Sequence, residues 1–220
     1  HPIAGRPLLE HCFLRAKLYD RWDVLSICTC DEEIRAWAED KGYPVIMTAE
    51  THTRALDRVA EAAEICDGDV ADDDIMVCVQ GDEPLLAPDV IEAVIRPFDE
   101  DPAVEGTMLA VPITDEETFL NPDIVKLVHD ANGNVLYTSR APIPHTEEFS
   151  PAIGAKRVGG IFGFRWQMLK WFTGLPESPL ETAEACDSNR IYDNGRRQRI
   201  ALAPDRPYVS VDSPEDAARV

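Results

Sequence analysis

Basic residues are scarce in this chain: 21 Lys and Arg face 41 Asp and Glu in 220 residues, a formal net charge of −20. That balance excludes sequence-independent nucleic-acid binding, which needs a basic footprint on the phosphates. It also argues against docking on acidic membranes. Long apolar runs are missing too. The longest fall far below the roughly 20 residues that span a bilayer, and no charged-then-apolar leader of the secretory type opens the chain. A CxxC pair is absent: of the six Cys, Cys28 and Cys30 are separated by one residue, the wrong spacing for a zinc or redox motif. The thiols therefore read as those of a cytoplasmic protein without disulfides. No repeat or low-complexity tract is present.

What remains is a chain with 45% hydrophobic residues, enough for a full core, and a length that suits a single domain over 1–220. The excess of Asp and Glu serves solubility first. Its corollary is that an anionic ligand must be met by a local set of Arg and Lys.

Strands and helices alternate in the first half. Leu8 to Lys17 has helical spacing, Val24 to Thr29 reads as a strand, and Asp31-Glu32-Glu33 opens a helix running to Lys41-Gly42, its acids favourable to the dipole. Val45–Met47 is a strand, Ala55–Ile65 a helix, Ile75–Val79 a strand, and Ala87-Pro88 leads into a helix over Asp89–Phe98. This rhythm predicts a mainly parallel sheet covered on both faces. The second half differs. Thr107–Ile113 is a strand, Val125–Asp130 and Val135–Thr138 flank the hairpin signal Ala131-Asn132-Gly133-Asn134, and Gly159–Phe164 is another strand. Met168–Phe172 and Pro179–Asn189 suit helices. Ile200–Leu202 and Tyr208–Val211 suit strands, and Ser213-Pro214 opens a last helix. The expectation is an α/β core with a smaller antiparallel excursion.

Residues 75–86 carry the most information. Five apolar residues, Ile75 to Val79, run into Gln80-Gly81-Asp82-Glu83-Pro84, which cannot continue a strand. Open α/β sheets bind ligands beyond the carboxyl ends of their strands, and a carboxylate placed there by a glycine turn suits a divalent metal. Asp212 has the same context after Tyr208–Val211. Two such Asp could share a Mg²⁺ whose other ligands are phosphate oxygens. The competing reading makes Asp212 the N-cap of the last helix, with Glu215 closing a capping box.

The motifs taken together resemble the 3-deoxy-manno-octulosonate (KDO) cytidylyltransferases, the CMP-KDO synthetases. The similar stretches are Ile3-Ala4-Gly5-Arg6-Pro7-Leu8, Thr29-x-Asp31-Glu32, His52 with Asp57-Arg58, and Val79-Gln80-Gly81-Asp82-Glu83-Pro84. They continue with Asn121-Pro122-x-x-Val125-Lys126, Tyr137-x-Ser139-Arg140-Ala141-Pro142-Ile143-Pro144, Ser178-Pro179-Leu180-Glu181-x-x-Glu184 and Val211-Asp212-Ser213-Pro214-Glu215-Asp216. The resemblance implies a Rossmann-like, nucleotide-diphospho-sugar transferase-like α/β fold with a mixed sheet, typically in a homodimer. It implies a reaction of CTP with a sugar acid that yields a CMP-sugar and pyrophosphate. It assigns Asp82 and Asp212 to Mg²⁺, Arg58 to the nucleotide side, and Gln80, Ser139, Arg140 and Glu184 to the acceptor. In-line attack on the α-phosphorus asks mainly for positioning and charge neutralisation, so no dedicated protein base is required. His52 is the nearest candidate for one, with a packing role as the alternative.

Three departures stand out. The family begins with a strand and a basic loop of the type Pro-Ala-Arg-x-x-Ser-x-Arg-x-Pro-Gly-Lys, and the sequence given starts after it, at His1, without Met. The family's Ser-Gly-Thr before Asp-Arg is here Arg54-Ala55-Leu56. The family's Arg-His-x-Gly is Arg157-Val158-Gly159-Gly160, and Ala185-Cys186-Asp187-Ser188-Asn189-Arg190 replaces Ser-Leu-Glu-Gln-Leu-Arg. Losing hydroxyl-binding partners weakens recognition of a polyhydroxy acid. The acceptor is therefore left open between KDO, a modified octulosonate, and a small phosphonate such as phosphonoformate, whose charge Arg157 or Arg190 could bind. A catalytically degenerate nucleotide-binding relative and a GT-A-type glycosyltransferase are the readings from other classes.

Overall fold

The computed structural model describes residues 2–66, 68–206, 208–211, 213–218 and 220. A short ribbon, β1 (Pro2–Ile3) and β2 (Arg6–Pro7), turns through Ala4 and Gly5, both at positive φ, and feeds α1 (Leu8–Ala16). Next come β3 (Ile27–Thr29), α2 (Glu32–Lys41) and β4 (Val45–Met47), with β3 and β4 paired in parallel. The caps of α2 are local. The Asp31 carboxylate accepts from the backbone N–H groups of Glu33 and Ile34, and Gly42 ends the helix in the left-handed region at φ 69°.

The chain continues through α3 (Ala55–Ile65), β5 (Ile75–Val79), α4 (Pro88–Glu100), β6 (Gly106–Pro112), α5 (Glu116–Leu120), β7 (Lys126–His129) and β8 (Val135–Ser139). It then forms β9 (Lys156–Arg165), α6 (Trp166–Thr173), α7 (Pro179–Glu184), α8 (Ser188–Asp193), β10 (Arg199–Leu202) and α9 (Pro214–Ala217). The large sheet has six strands in the order β10-β6-β9-β7-β8, with β5 also on β9. Only β10 and β6 run parallel; β9 is antiparallel to β5, β6 and β7. The mainly parallel sheet suggested by the first-half rhythm is thus corrected, and the sheet is mixed, as the family resemblance implied, and organised around one long antiparallel strand.

Successive residues of β6 explain the two-sided core. Met108 and Ala110 face one cluster with Leu56 and Ala60 of α3 and Met168 and Phe172 of α6. Leu109 and Val111 face the other, with Val90, Ile91, Val94 and Ile95 of α4. This is the period-two alternation of a strand buried on both faces, and each fully buried aliphatic side chain contributes roughly 1.5–3 kcal/mol before entropy is counted. The β7–β8 hairpin does not hang free. The Val135 N–H donates to the Gln198 carbonyl at 2.8 Å and the Ile200 N–H to the Gly133 carbonyl at 2.8 Å, so its turn docks on β10.

Three expected elements change. The strand expected from Val24 shortens to Ile27–Thr29. The single helix expected over Pro179–Asn189 is two, broken where Ala185 adopts φ 48°. Residues 208–211 join no ladder, since side-chain and single backbone bonds hold them instead. The last helix is capped by Ser213 with Asp216 closing the box, not by Asp212 with Glu215.

Candidate active site

The register of the large sheet sets the site. Arg157 on β9 stands opposite Lys126 on β7, which stands opposite Ser139 on β8. Further along the same edge of β9, Val79 pairs with Ile161, and the Gln80 N–H donates to the Gly160 carbonyl at 3.3 Å. Gln80, Ser139 and Arg157, spread over 77 positions of the sequence, are thereby brought to one end of the sheet.

The wall built on β8 is dense. Glu184, at the carboxyl end of α7, accepts from the Tyr137 hydroxyl at 2.5 Å, the Ser139 hydroxyl at 2.8 Å and the Arg140 N–H at 2.8 Å. Desolvation alone would raise its pKa, but these bonds outweigh it and hold the carboxyl below the usual Glu range. The same bond pushes the Tyr137 phenol up to about 12. Arg140 donates from Nε to the Glu184 carbonyl at 3.0 Å and from Nη1 to the Pro122 carbonyl at 3.1 Å. Below it Lys126, with no exposed surface, donates to the carbonyls of Asn121, Ile124 and Arg140 at 2.7, 2.7 and 2.6 Å. The structure therefore brings Ser139, Arg140 and Glu184 together as expected, in bonds that run largely among themselves.

The local reason for Glu184's placement is a stop signal. Ser178 and Glu181 form a capping box at the start of α7 with Pro179 in its first turn, and Ala185 ends the helix in the left-handed region. A left-handed Ala costs about 1–2 kcal/mol, a strain stored beside the wall's central carboxylate. Arg190, expected as a possible anion binder, is committed elsewhere. It makes a two-pronged pair with the fully buried Glu181 at 2.7 and 2.6 Å, and its guanidinium lies 4.7 Å from the Phe172 ring centre. The reason is burial: its side chain is 5% exposed, where a lone guanidinium would be costly.

The β5 end is sparser. Asp82 follows the exposed Gly81, and its carbonyl accepts from the Val211 N–H at 2.9 Å. Asp212 lies outside the described residues; its neighbours Val211 and Ser213 are described. Glu83 is 2% exposed and accepts from the Ser210 hydroxyl at 2.8 Å. Burial raises its pKa, with Ser210 and Tyr208 pulling the other way. Arg157 donates to the Tyr208 carbonyl at 2.8 Å and sits 5.5 Å from that ring's centre. Arg58 ties the first turn of α3 to the preceding loop, donating to Thr48 Oγ1 at 2.5 Å and to the His52 carbonyl at 3.2 Å. The His52 ring pairs with the Glu61 carboxylate, a packing role. Arg54 precedes α3 in extended backbone and lines an open cavity of about 630 Å³ with Asp57, Glu61 and Arg190; its charge also reaches Asp187. Two departures read separately in the sequence, Arg54 and Asp187, are thus electrostatic neighbours.

Sequence reasoning passed over Glu83 and Lys126, although both stand in the motifs. For Lys126 the usable signal was a charged residue set among apolar strand residues, which burial obliges to find partners; Glu83 stands in a turn and carried no such signal.

A cytidylyltransferase family model matches residues 1–200. The chain belongs to that family. It is a nucleotidyltransferase. Its relatives include the 3-deoxy-manno-octulosonate cytidylyltransferases of Syntrophus aciditrophicus, 36% identical over 99% of this chain and 87% of that protein, and of Chlorobaculum parvum, 38% identical over 99% and 87%. That of Syntrophotalea carbinolica is 37% identical over 99% and 88%. A solved CMP:2-keto-3-deoxy-manno-octonic acid synthetase complexed with CTP aligns with a TM-score of 0.87 at 27% identity, covering all of this chain and 88% of that one. A 4-diphosphocytidyl-2C-methyl-D-erythritol synthase, with a TM-score of 0.66 at 17% identity over 100% and 90%, shares the fold. The six Cys of this cytidylyltransferase are free thiols in this structure. Among the described residues no helix is long and apolar enough to cross a membrane.

Proposed function

We propose that this cytidylyltransferase transfers CMP from CTP to KDO, releasing pyrophosphate. The observation that carries the reading is the shared sheet end: the Asp82 turn, Arg157 and the Ser139–Glu184 wall meet on adjacent strands, in a chain 36–38% identical to curated KDO cytidylyltransferases. Val158, where the family's His is lost, packs against the main core. The likenesses do not favour the small-phosphonate acceptor.

In this reading Arg58 holds the loop on the nucleotide side. Arg157, on the β9 rung opposite Lys126, would face the acceptor's carboxylate, which the planar guanidinium fork matches in charge and geometry. Glu184, Arg140 and Lys126 fix the hydroxyl of Ser139 and the backbone around it before substrate arrives, so binding spends little on ordering the wall. Gln80 borders the same surface from β5.

Asp82 and Asp212 would hold Mg²⁺. The donor set suits a hard cation that takes one or two carboxylates and completes its shell with waters and phosphates; among the described residues no group of three or more His, Cys, Asp or Glu forms a closed cage. When bound, the ion supplies neutralisation of the triphosphate charge.

The test is pyrophosphate release from CTP and Mg²⁺ with KDO and phosphonoformate offered in parallel. Release with KDO is expected. Release with the phosphonate alone would overturn the acceptor assignment, and none with any acid would favour the degenerate relative.

A further inference from the structure

Segment 208–211 lies outside every ladder, yet three bonds from three sources pin it. Arg157 donates to the Tyr208 carbonyl at 2.8 Å, the Ser210 hydroxyl donates to Glu83 Oε1 at 2.8 Å, and the Val211 N–H donates to the Asp82 carbonyl at 2.9 Å. Glu83 is the unusual member. Its carboxylate is almost wholly buried, in a notch cut by Gly160: a Cβ on that glycine would lie 2.2 Å from Oε1 and 3.1 Å from the carboxyl carbon. Both the acid and the missing side chain are needed for the fit.

Burying a carboxylate is costly, and an apolar side chain of similar volume fills such a site at least as stably. Stability therefore does not account for Glu83. Its hydrogen bond does something a hydrocarbon cannot, which is to grip the hydroxyl of Ser210. The gripped segment leads through Val211 directly to Asp212, and Ser213 beyond it is fixed as the N-cap of α9, its hydroxyl 2.6 Å from an Asp216 carboxylate oxygen. The residue before Glu83 is Asp82. One side chain thus links the strand end that bears one proposed metal ligand to the segment that bears the other.

We infer that Glu83 is a positioning residue of the proposed metal site: by holding Ser210 beside the Gly160 notch it sets the spacing between the Asp82 turn and residues 208–211, which precede Asp212 in sequence. The inference rests on the proposed Asp82–Asp212 assignment. Glu83 touches neither nucleotide nor acceptor in this role, and its effect passes through the geometry of its neighbours. Groups of this kind that orient metal ligands typically govern about 10–100-fold in metal affinity.

The experiment uses the full chain and two readouts, Mn²⁺ binding followed by electron paramagnetic resonance and the Mg²⁺ dependence of turnover. Ser210→Ala removes the grip with least disturbance to folding, Glu83→Ala removes it from the other side, Glu83→Gln keeps an acceptor oxygen, and Asp82→Asn checks the underlying assignment. Expected are a rise of about 10–100-fold in the Mn²⁺ dissociation constant and the Mg²⁺ midpoint for Ser210→Ala and Glu83→Ala, substantial recovery of kcat at saturating Mg²⁺, and near-unaltered metal affinity for Glu83→Gln. If Asp82→Asn weakens Mn²⁺ binding while folded Ser210→Ala does not, the positioning role is wrong and the metal assignment stands. If Asp82→Asn binds Mn²⁺ as tightly as the unaltered protein, the assignment itself fails and takes this inference with it. A fall in kcat with an unmoved Mg²⁺ midpoint for Ser210→Ala would also overturn the role.

Discussion

The two sides of the candidate site are built by opposite means. The β8 wall is saturated: Glu184 takes three side-chain or backbone donors on its carboxylate, and Lys126 spends all three of its protons on carbonyls. The β5 end is spare: single bonds join the Asp82 turn to a segment without a ladder. A saturated network fixes one shape at the cost of mobility. A spare one would leave room for ions and phosphates whose charge must be admitted and released in every turnover. The proposed acceptor surface is prebuilt, and the proposed metal end lies at a seam between distant parts of the chain.

The largest effect should fall on the spare side. Asp82→Asn or Asp212→Asn is expected to lower kcat more than about a hundredfold, the scale of losing a group that stabilises developing charge, with thermal unfolding unchanged. Near-normal rates at saturating Mg²⁺ would break the contrast. On the saturated side the first loss should be stability. Arg190→Met strands the fully buried Glu181 beneath the helices that carry Glu184, and removal of one partner of a buried pair costs about 3–5 kcal/mol. Calorimetry should show a melting temperature lowered by about 10 °C, and an unshifted one would refute the account of Arg190 as structural.

Smaller is Glu184→Gln, which keeps the shape but drops the charge that Tyr137, Ser139 and the Arg140 amide bond to. Hydrogen bonds to charged groups are worth about 1.5–3 kcal/mol, so we expect roughly a tenfold rise in acceptor KM with CTP KM unaltered. A matching rise in both would mean that the wall does not belong to the acceptor. The smallest effect is a titration. All five Tyr sit above their ordinary value of 10: Tyr19 at about 12 and Tyr43, Tyr192 and Tyr208 raised through burial first, Tyr137 at about 12 through Glu184 first. A phenol pKa raised by folding contributes stability that is complete below pH 10 and is lost as pH climbs through about 12. Ultraviolet absorbance should therefore show little tyrosinate at pH 10 in the native protein and half-titration there in denaturant. Tyrosinate at pH 10 in the native state would show the wall to be looser than its bonds imply.

Much of this was legible in the residues because it is local. Asp31 caps α2 through groups two and three positions away, and Ser178 with Glu181 closes its box within one turn. Nothing in Ala185 announces a left-handed residue, since alanine is the best of helix formers, so the break between α7 and α8 was missed. Tyr208–Val211 has the apolar character of a strand, but a ladder needs a partner edge, and sequence does not say whether one is offered.

By itself, then, the sequence determined most of the alternating elements, the glycine turn that presents Asp82, and the family, because each rests on groups within a few residues or on motif order. Tertiary structure alone decided which rungs meet. It put Glu83 against Ser210 across 127 positions and Tyr137 against Glu184 across 47, and it paired Arg190 with Glu181 instead of leaving it to a ligand. For Tyr137 the physical reason is register: sheet pairing is chosen by the packing of both faces at once, and a shift of one residue would send it to the opposite face. For Glu83 and Arg190, which lie outside the ladders, the reason is burial, which obliges a charged group to find a partner wherever the packed chain supplies one.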